Sequence, residues 1–103
     1  AEDCFISEIT LAELKFGVEN SERPDRNRAV LSDFLTGVQI LPIFGSLDLY
    51  AQEKARLRKV GLRIDEFDLL IGTTAVVNDL VMVTNNTAHF ERIKGIVIED
   101  WTR

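Results

Sequence analysis

The sequence has 103 residues, 46% of them hydrophobic and 28% charged, with a formal net charge of −5. This suits one globular domain with a single core and argues against a nonspecific nucleic-acid coat. No apolar run approaches the roughly 20 residues that cross a bilayer, and no basic-then-apolar leader opens the chain, so a cytoplasmic protein is expected.

One cysteine, Cys4, rules out an intramolecular disulfide, and with one histidine, His89, it cannot build a Cys/His zinc site. Nucleophile–histidine catalysis is a poor fit for the same reason. Any chemistry must run on carboxylates, amides and hydroxyls.

Cys4 to Ser7, CFIS, reads as a short buried strand that encloses the thiol. Ile9 to Asn20 reads as a helix, followed by the polar loop ENSERPDR. Pro24 suits the first turn of a second helix, which runs to about Thr36 with Ala29, Val30, Phe34 and Leu35 inward. VQILPIF is the next strand, ended by Pro42. Ser46 can N-cap a third helix, which Gly61 closes as its C′ residue. Ile64 opens a fourth helix to about Asp79. VMVT is then a strand, NNTAHF a polar loop carrying a solvated His89, and IVIEDW a last strand ending at Trp101. Strands alternating with helices predict an α/β domain with a mostly parallel sheet. The strands are apolar runs, as when both faces are covered. Ligands of such sheets gather beyond the carboxyl ends of the strands.

Three groups of residues need an explanation. On a helix over Ile9–Asn20, two apolar strips (Ile9, Ala12, Phe16 and Leu11, Leu14, Val18) flank a third of Thr10, Glu13 and Gly17. A helix apolar on two sides is expected to be largely buried, leaving Glu13 either paired at a margin or aimed into a pocket. In IDEFD, Asp65 and Asp68 resemble a capping box, and acids in a first turn are favoured by the helix dipole. Asp68, however, shares a face with Ile71, Gly72 and Ala75, where a carboxylate should be paired or hold a cation. VTNN, Val83 to Asn86, lies at the end of a predicted strand, where Thr84 and the two asparagines are either turn chemistry or oxygen donors for a hard metal.

Taken together, ISEITLAELKFGVE, IDEFDLLIGTTA and LVMVTNNTAHFERIKGIVIEDW resemble the PIN-domain family, specifically the VapC-type toxins of bacterial toxin–antitoxin pairs. The resemblance runs from Cys4 to Trp101. It implies a three-layer α/β/α domain with a mostly parallel sheet, binding Mg²⁺ or Mn²⁺ and hydrolysing RNA. It places metal-binding acids at Glu13 and Asp68, and Asn86 where the family often has Asp. An amide there can hold a water but adds no charge. The family's first acid, in an LDTN-like motif ending the first strand, has no counterpart, since Glu2 and Asp3 precede the second strand. The expectation is a single PIN domain, residues 1–103, without its opening strand and helix. The missing strand would lie between Cys4–Ser7 and Val81–Thr84, leaving a chain that is poorly stable alone or prone to strand exchange, and that is also inactive. Converging carboxylates raise one another's pKa unless a cation joins them, which is why the pattern needs a metal.

KARLRKVGLR, residues 54–63, holds five basic side chains. They form either a solvated face paired with Asp48 and Glu53, or phosphate contacts from Arg58, Lys59 and Arg63. With Thr84, these last three are the candidate substrate contacts. The leading expectation is a metal-dependent endoribonuclease with Glu13, Asp68 and Asn86 at its site, an RNA substrate (tRNA among the candidates), a VapB-type antitoxin and a homodimeric form. The alternative is a PIN-like module that binds an antitoxin or RNA without cleaving.

Overall fold

The structure, a computed structural model, describes residues 4–100; Glu2, Asp3 and Trp101 lie outside them. The chain falls into two compact units, one up to Pro42 and one from Ile43 onward.

In the first unit, β1 (Cys4–Ser7) leads straight into α1 (Glu8–Glu19), and α2 (Pro24–Leu35) leads into β2 (Val38–Leu41). β1 and β2 pair in parallel, Cys4 opposite Val38 and Ser7 opposite Leu41. Ser7 ends the strand and starts the helix: its Oγ accepts from the Thr10 N–H at 3.0 Å, satisfying one of the first orphan donors. Pro24 stands at the start of α2, where its missing N–H costs nothing. On the exposed surface Arg28 bridges the helices, holding Glu19 at 2.7 Å and Asp25 at 3.0 Å.

Three expectations fail in this unit. Cys4 is exposed. Neither helix has a buried residue, and Val30 is 59% and Phe34 48% exposed rather than inward. The strands are not covered on both faces either, since Cys4, Gln39 and Ile40 are exposed. The physical reason is supply: two twelve-residue helices on two four-residue strands do not provide enough surface to cover both sides of each element.

The second unit holds the core. A 3₁₀ turn (Phe44–Ser46) precedes α3 (Leu47–Lys59) and α4 (Glu66–Val77), followed by β3 (Met82–Val83), α5 (Thr87–Phe90) and β4 (Ile98–Glu99). β3 and β4 are parallel, Met82 opposite Ile98. Leu57, Leu69, Phe90 and Ile93 are buried together, with Tyr50, Ile64, Val76, Met82, Ile96 and Ile98 around them. α4 approaches α5 closely because residue 72 is Gly: a Cβ there would lie 3.2 Å from a Phe90 ring carbon.

Gly61 closes α3 as expected. With φ of +75° it allows its own N–H to reach Arg58 O and the Leu62 N–H to reach Leu57 O, a Schellman motif. Ser46 does not cap α3 with its side chain, because it closes the preceding 3₁₀ turn. Its hydroxyl donates to Ile43 O at 2.7 Å and lies 3.2 Å from the buried Thr74 hydroxyl. α4 ends at Val77 rather than Asp79, whose positive φ turns the chain away. Residues 87–90, expected as loop, form a helical turn.

Among the described residues no helix is long and apolar enough to cross a membrane.

Candidate functional site

The three acids of IDEFD have three different fates. Asp65 is the N-cap of α4, its carboxylate accepting from the Phe67 and Asp68 N–H groups at 3.1 and 3.3 Å. Glu66 takes Lys54 at 2.8 Å. Asp68 is left: it is half-buried, and its carboxylate has no hydrogen bond or ion pair among the described residues. Burial pushes its pKa up, and the Asp65 charge adds to that. The electrostatic influence of His89 pulls the other way.

His89 comes near Asp68 because α5 packs on α4 through Gly72 and Phe90. Asn86 begins α5, and its side-chain nitrogen lies 3.1 Å from His89 Nδ1. Thr84 Oγ1 accepts the Asn86 backbone N–H at 3.0 Å. The structure therefore links Thr84, Asn86 and His89 in one run of contacts and brings His89 near Asp68. The sequence reading left His89 in solvent. Its ring is indeed exposed, but the spacing Asn86–His89, three residues apart, was the available signal that both could share one helical turn.

Glu13 belongs to the first unit. It is exposed, not buried as the two apolar strips suggested, since α1 buries nothing. It lines an open, mostly apolar groove of about 700 Å³ with Thr10, Gly17, Leu14, Val30 and Phe34. The strip Thr10–Glu13–Gly17 thus does share one surface, and Gly17 has open space beside it.

The basic run divides in the same way as the acids. Lys54 is held by Glu66. Arg56 makes a two-pronged pair with Glu53, at 2.8 and 2.9 Å, and also donates to Arg92 O. Glu53, nearly fully buried, accepts the Lys94 N–H at 2.8 Å. The Arg56 hydrogen bonds, with help from that N–H, hold its carboxyl below the usual range despite burial. Arg58, Lys59 and Arg63 are exposed, and their side chains have no ion pair among the described residues. Asp48 takes no basic partner there.

Asp68, Asn86 and Thr84 offer oxygen donors only, the set that suits a hard divalent cation. An unpartnered carboxylate whose charged form is disfavoured is what such a cation would relieve, so these residues fit one. Among the described residues no group of three His, Cys, Asp or Glu side chains is placed to hold a metal ion.

The PIN-domain family model matches residues 1–96. The chain belongs to the PIN-domain family. This PIN domain is 41% identical over 97 residues to the tRNA(fMet)-specific endonuclease VapC of Salmonella typhimurium, covering 93% of this chain and 74% of the relative. It is 38% identical over 98 residues to the protein of the same description in Shigella flexneri, covering 94% and 74%. Among solved structures it is similar to VapBC2 of Rickettsia felis bound to a DNA fragment from its promoter. There the TM-score is 0.90 with 34% identity, over 96% of this chain and 75% of that one. A DNA-bound VapBC of Salmonella typhimurium gives 0.89 with 41% identity, over 94% and 74%. The parallel α/β fold and the VapC relationship expected from the sequence both hold.

Proposed function

We propose that this PIN domain is a divalent-metal-dependent endoribonuclease toxin of a VapBC-type pair, hydrolysing RNA phosphodiester bonds. The observation that carries the reading is Asp68: a half-buried carboxylate without a partner among the described residues, near His89, whose ring in turn contacts Asn86. The relatives named as tRNA(fMet)-specific endonucleases support it and make tRNA the first substrate to test. Glu13 and Asp68 would hold Mg²⁺ or Mn²⁺, with Asn86 positioning a water. A bound cation of this kind supplies a water of lowered pKa and positive charge for the phosphate oxygens. Thr84 can donate its hydroxyl to substrate, and Arg58, Lys59 and Arg63 are free to take phosphates. A VapB-type antitoxin and a second copy are the expected partners, in the cytoplasm.

The deciding experiment is RNA cleavage by the intact protein with and without Mg²⁺ or Mn²⁺, for the natural sequence and Asp68→Ala. Cleavage that needs the metal and is lost on substitution supports the enzyme. One residue favours the second reading, a PIN-like module that binds an antitoxin or RNA without cutting: Asn86 adds no charge to the site. Binding without metal-dependent cleavage would establish that module instead.

A further inference from the structure

We infer that His89 is a positioning residue, whose ring nitrogen holds the Asn86 amide so that its oxygen, not its nitrogen, is the end left for the ligand of Asp68. This rests on the metal-site reading above. The Asn86–His89 contact joins two nitrogens at 3.1 Å. An amide nitrogen can only donate, so Nδ1 of the ring must accept, and the neutral ring carries its proton on Nε2. That leaves Asn86 Oδ1 without a partner among the described residues.

An asparagine at a helix N-cap ordinarily uses that oxygen on the N–H groups of the first turn. Here it does not, since α5 has no side-chain cap. The Asn86 backbone is fixed separately, its N–H on Thr84 Oγ1 and its carbonyl taking the Phe90 N–H. Without an acceptor beside it, an amide can turn either end to the site, and only one end can bind a cation or accept from a metal-bound water. A carboxylate has no such ambiguity, because both its ends are oxygen. His89 is therefore what lets an amide stand where a carboxylate would otherwise serve.

The test is Mn²⁺ binding to the intact protein, followed by titration calorimetry and by the loss of the free-ion EPR signal. Four proteins are compared: the natural sequence, His89→Ala, Asn86→Asp and Asn86→Asp/His89→Ala. Circular dichroism verifies that each is folded. His89→Ala should weaken Mn²⁺ binding roughly tenfold or more, as loss of an outer-shell partner does. The double variant should bind like Asn86→Asp alone, since an aspartate needs no orienting. Unchanged binding in His89→Ala overturns the inference. So does an equal loss from His89→Ala in both backgrounds, which would make the ring itself a ligand or a structural support. If the natural protein binds no Mn²⁺, the metal-site reading fails together with this one.

Discussion

The two units spend their apolar residues differently. From Cys4 to Pro42 no hydrophobic side chain is fully buried, and Phe16 is 68% exposed. From Ile43 onward, Leu57, Leu69, Phe90 and Ile93 are each exposed by 4% or less. Hydrophobic content does not separate them: α1 is rich in Ile, Leu, Val and Phe, much as α4 is. What separates them is the presence of small residues where elements meet. In α4 the consecutive Gly72, Thr73 and Thr74 are all buried and admit neighbouring elements closely, so burial accumulates. In α1 the one glycine, Gly17, has nothing against it. Stability and surface readiness are therefore assigned to different halves of the chain.

The sharpest way to break this comparison is to remove one acid from each unit. Glu13→Ala and Asp68→Ala should each reduce metal-dependent RNA cleavage by more than the roughly 10–100-fold that loss of an outer partner costs. Glu13→Ala should leave thermal stability nearly unchanged, because the residue is exposed. Full activity in Glu13→Ala would remove the first unit from the site.

A stability comparison comes next. Leu69→Ala should cost about 2–5 kcal/mol in denaturant unfolding, as core truncations do. Val30→Ala, on an open face, should stay within about 0.5 kcal/mol. Similar losses at both would mean that the first unit is covered in solution.

Glu53 gives a pH test within the second unit. Its folded-state pKa is depressed, chiefly by Arg56, so its contribution is present above the ordinary glutamate range near 4.3 and is lost as pH falls through the folded value. The stability gap between the natural protein and Glu53→Gln should thus be widest near neutral pH and narrow below about pH 4. A gap independent of pH would assign Glu53 a packing role only.

The smallest expected effect is electrostatic. Replacing Arg58 and Lys59 together by Ala should weaken RNA binding and lower its salt slope by about one unit per lost phosphate contact. An unchanged slope returns both side chains to solvent.

Much of the second unit was legible in the sequence because its signals are local. Gly61 needs positive φ, Asp65 needs only the two N–H groups that follow it, and the parallel strands announce themselves as apolar runs between helices. Burial in the first unit was not legible. Periodicity tells which faces of α1 and α2 are apolar, but not whether enough chain exists to cover them. α5 was missed because four residues carry no apolar period, and only the Asn86–His89 spacing pointed to its turn. Of the site, Asp68 could be found from its face of α4. His89 could not, because its position depends on Gly72 letting α5 approach.

The contact between Ser46 and Thr74 has a consequence in proton counting. The two hydroxyls own one proton each, yet three bonds are within reach: Ser46 to Ile43 O at 2.7 Å, Thr74 to Leu70 O at 2.7 Å, and the 3.2 Å contact between them. Two protons cannot complete three bonds at once. Either both point at carbonyls and the two oxygens face each other through lone pairs, or one swings across and releases its carbonyl. Ile43 O can tolerate release, because it also accepts the Ser46 N–H, and Leu70 O lies within α4, where it keeps its helical donor. This buried contact therefore carries a hydrogen with two places to be, a residue of entropy inside an otherwise fixed core.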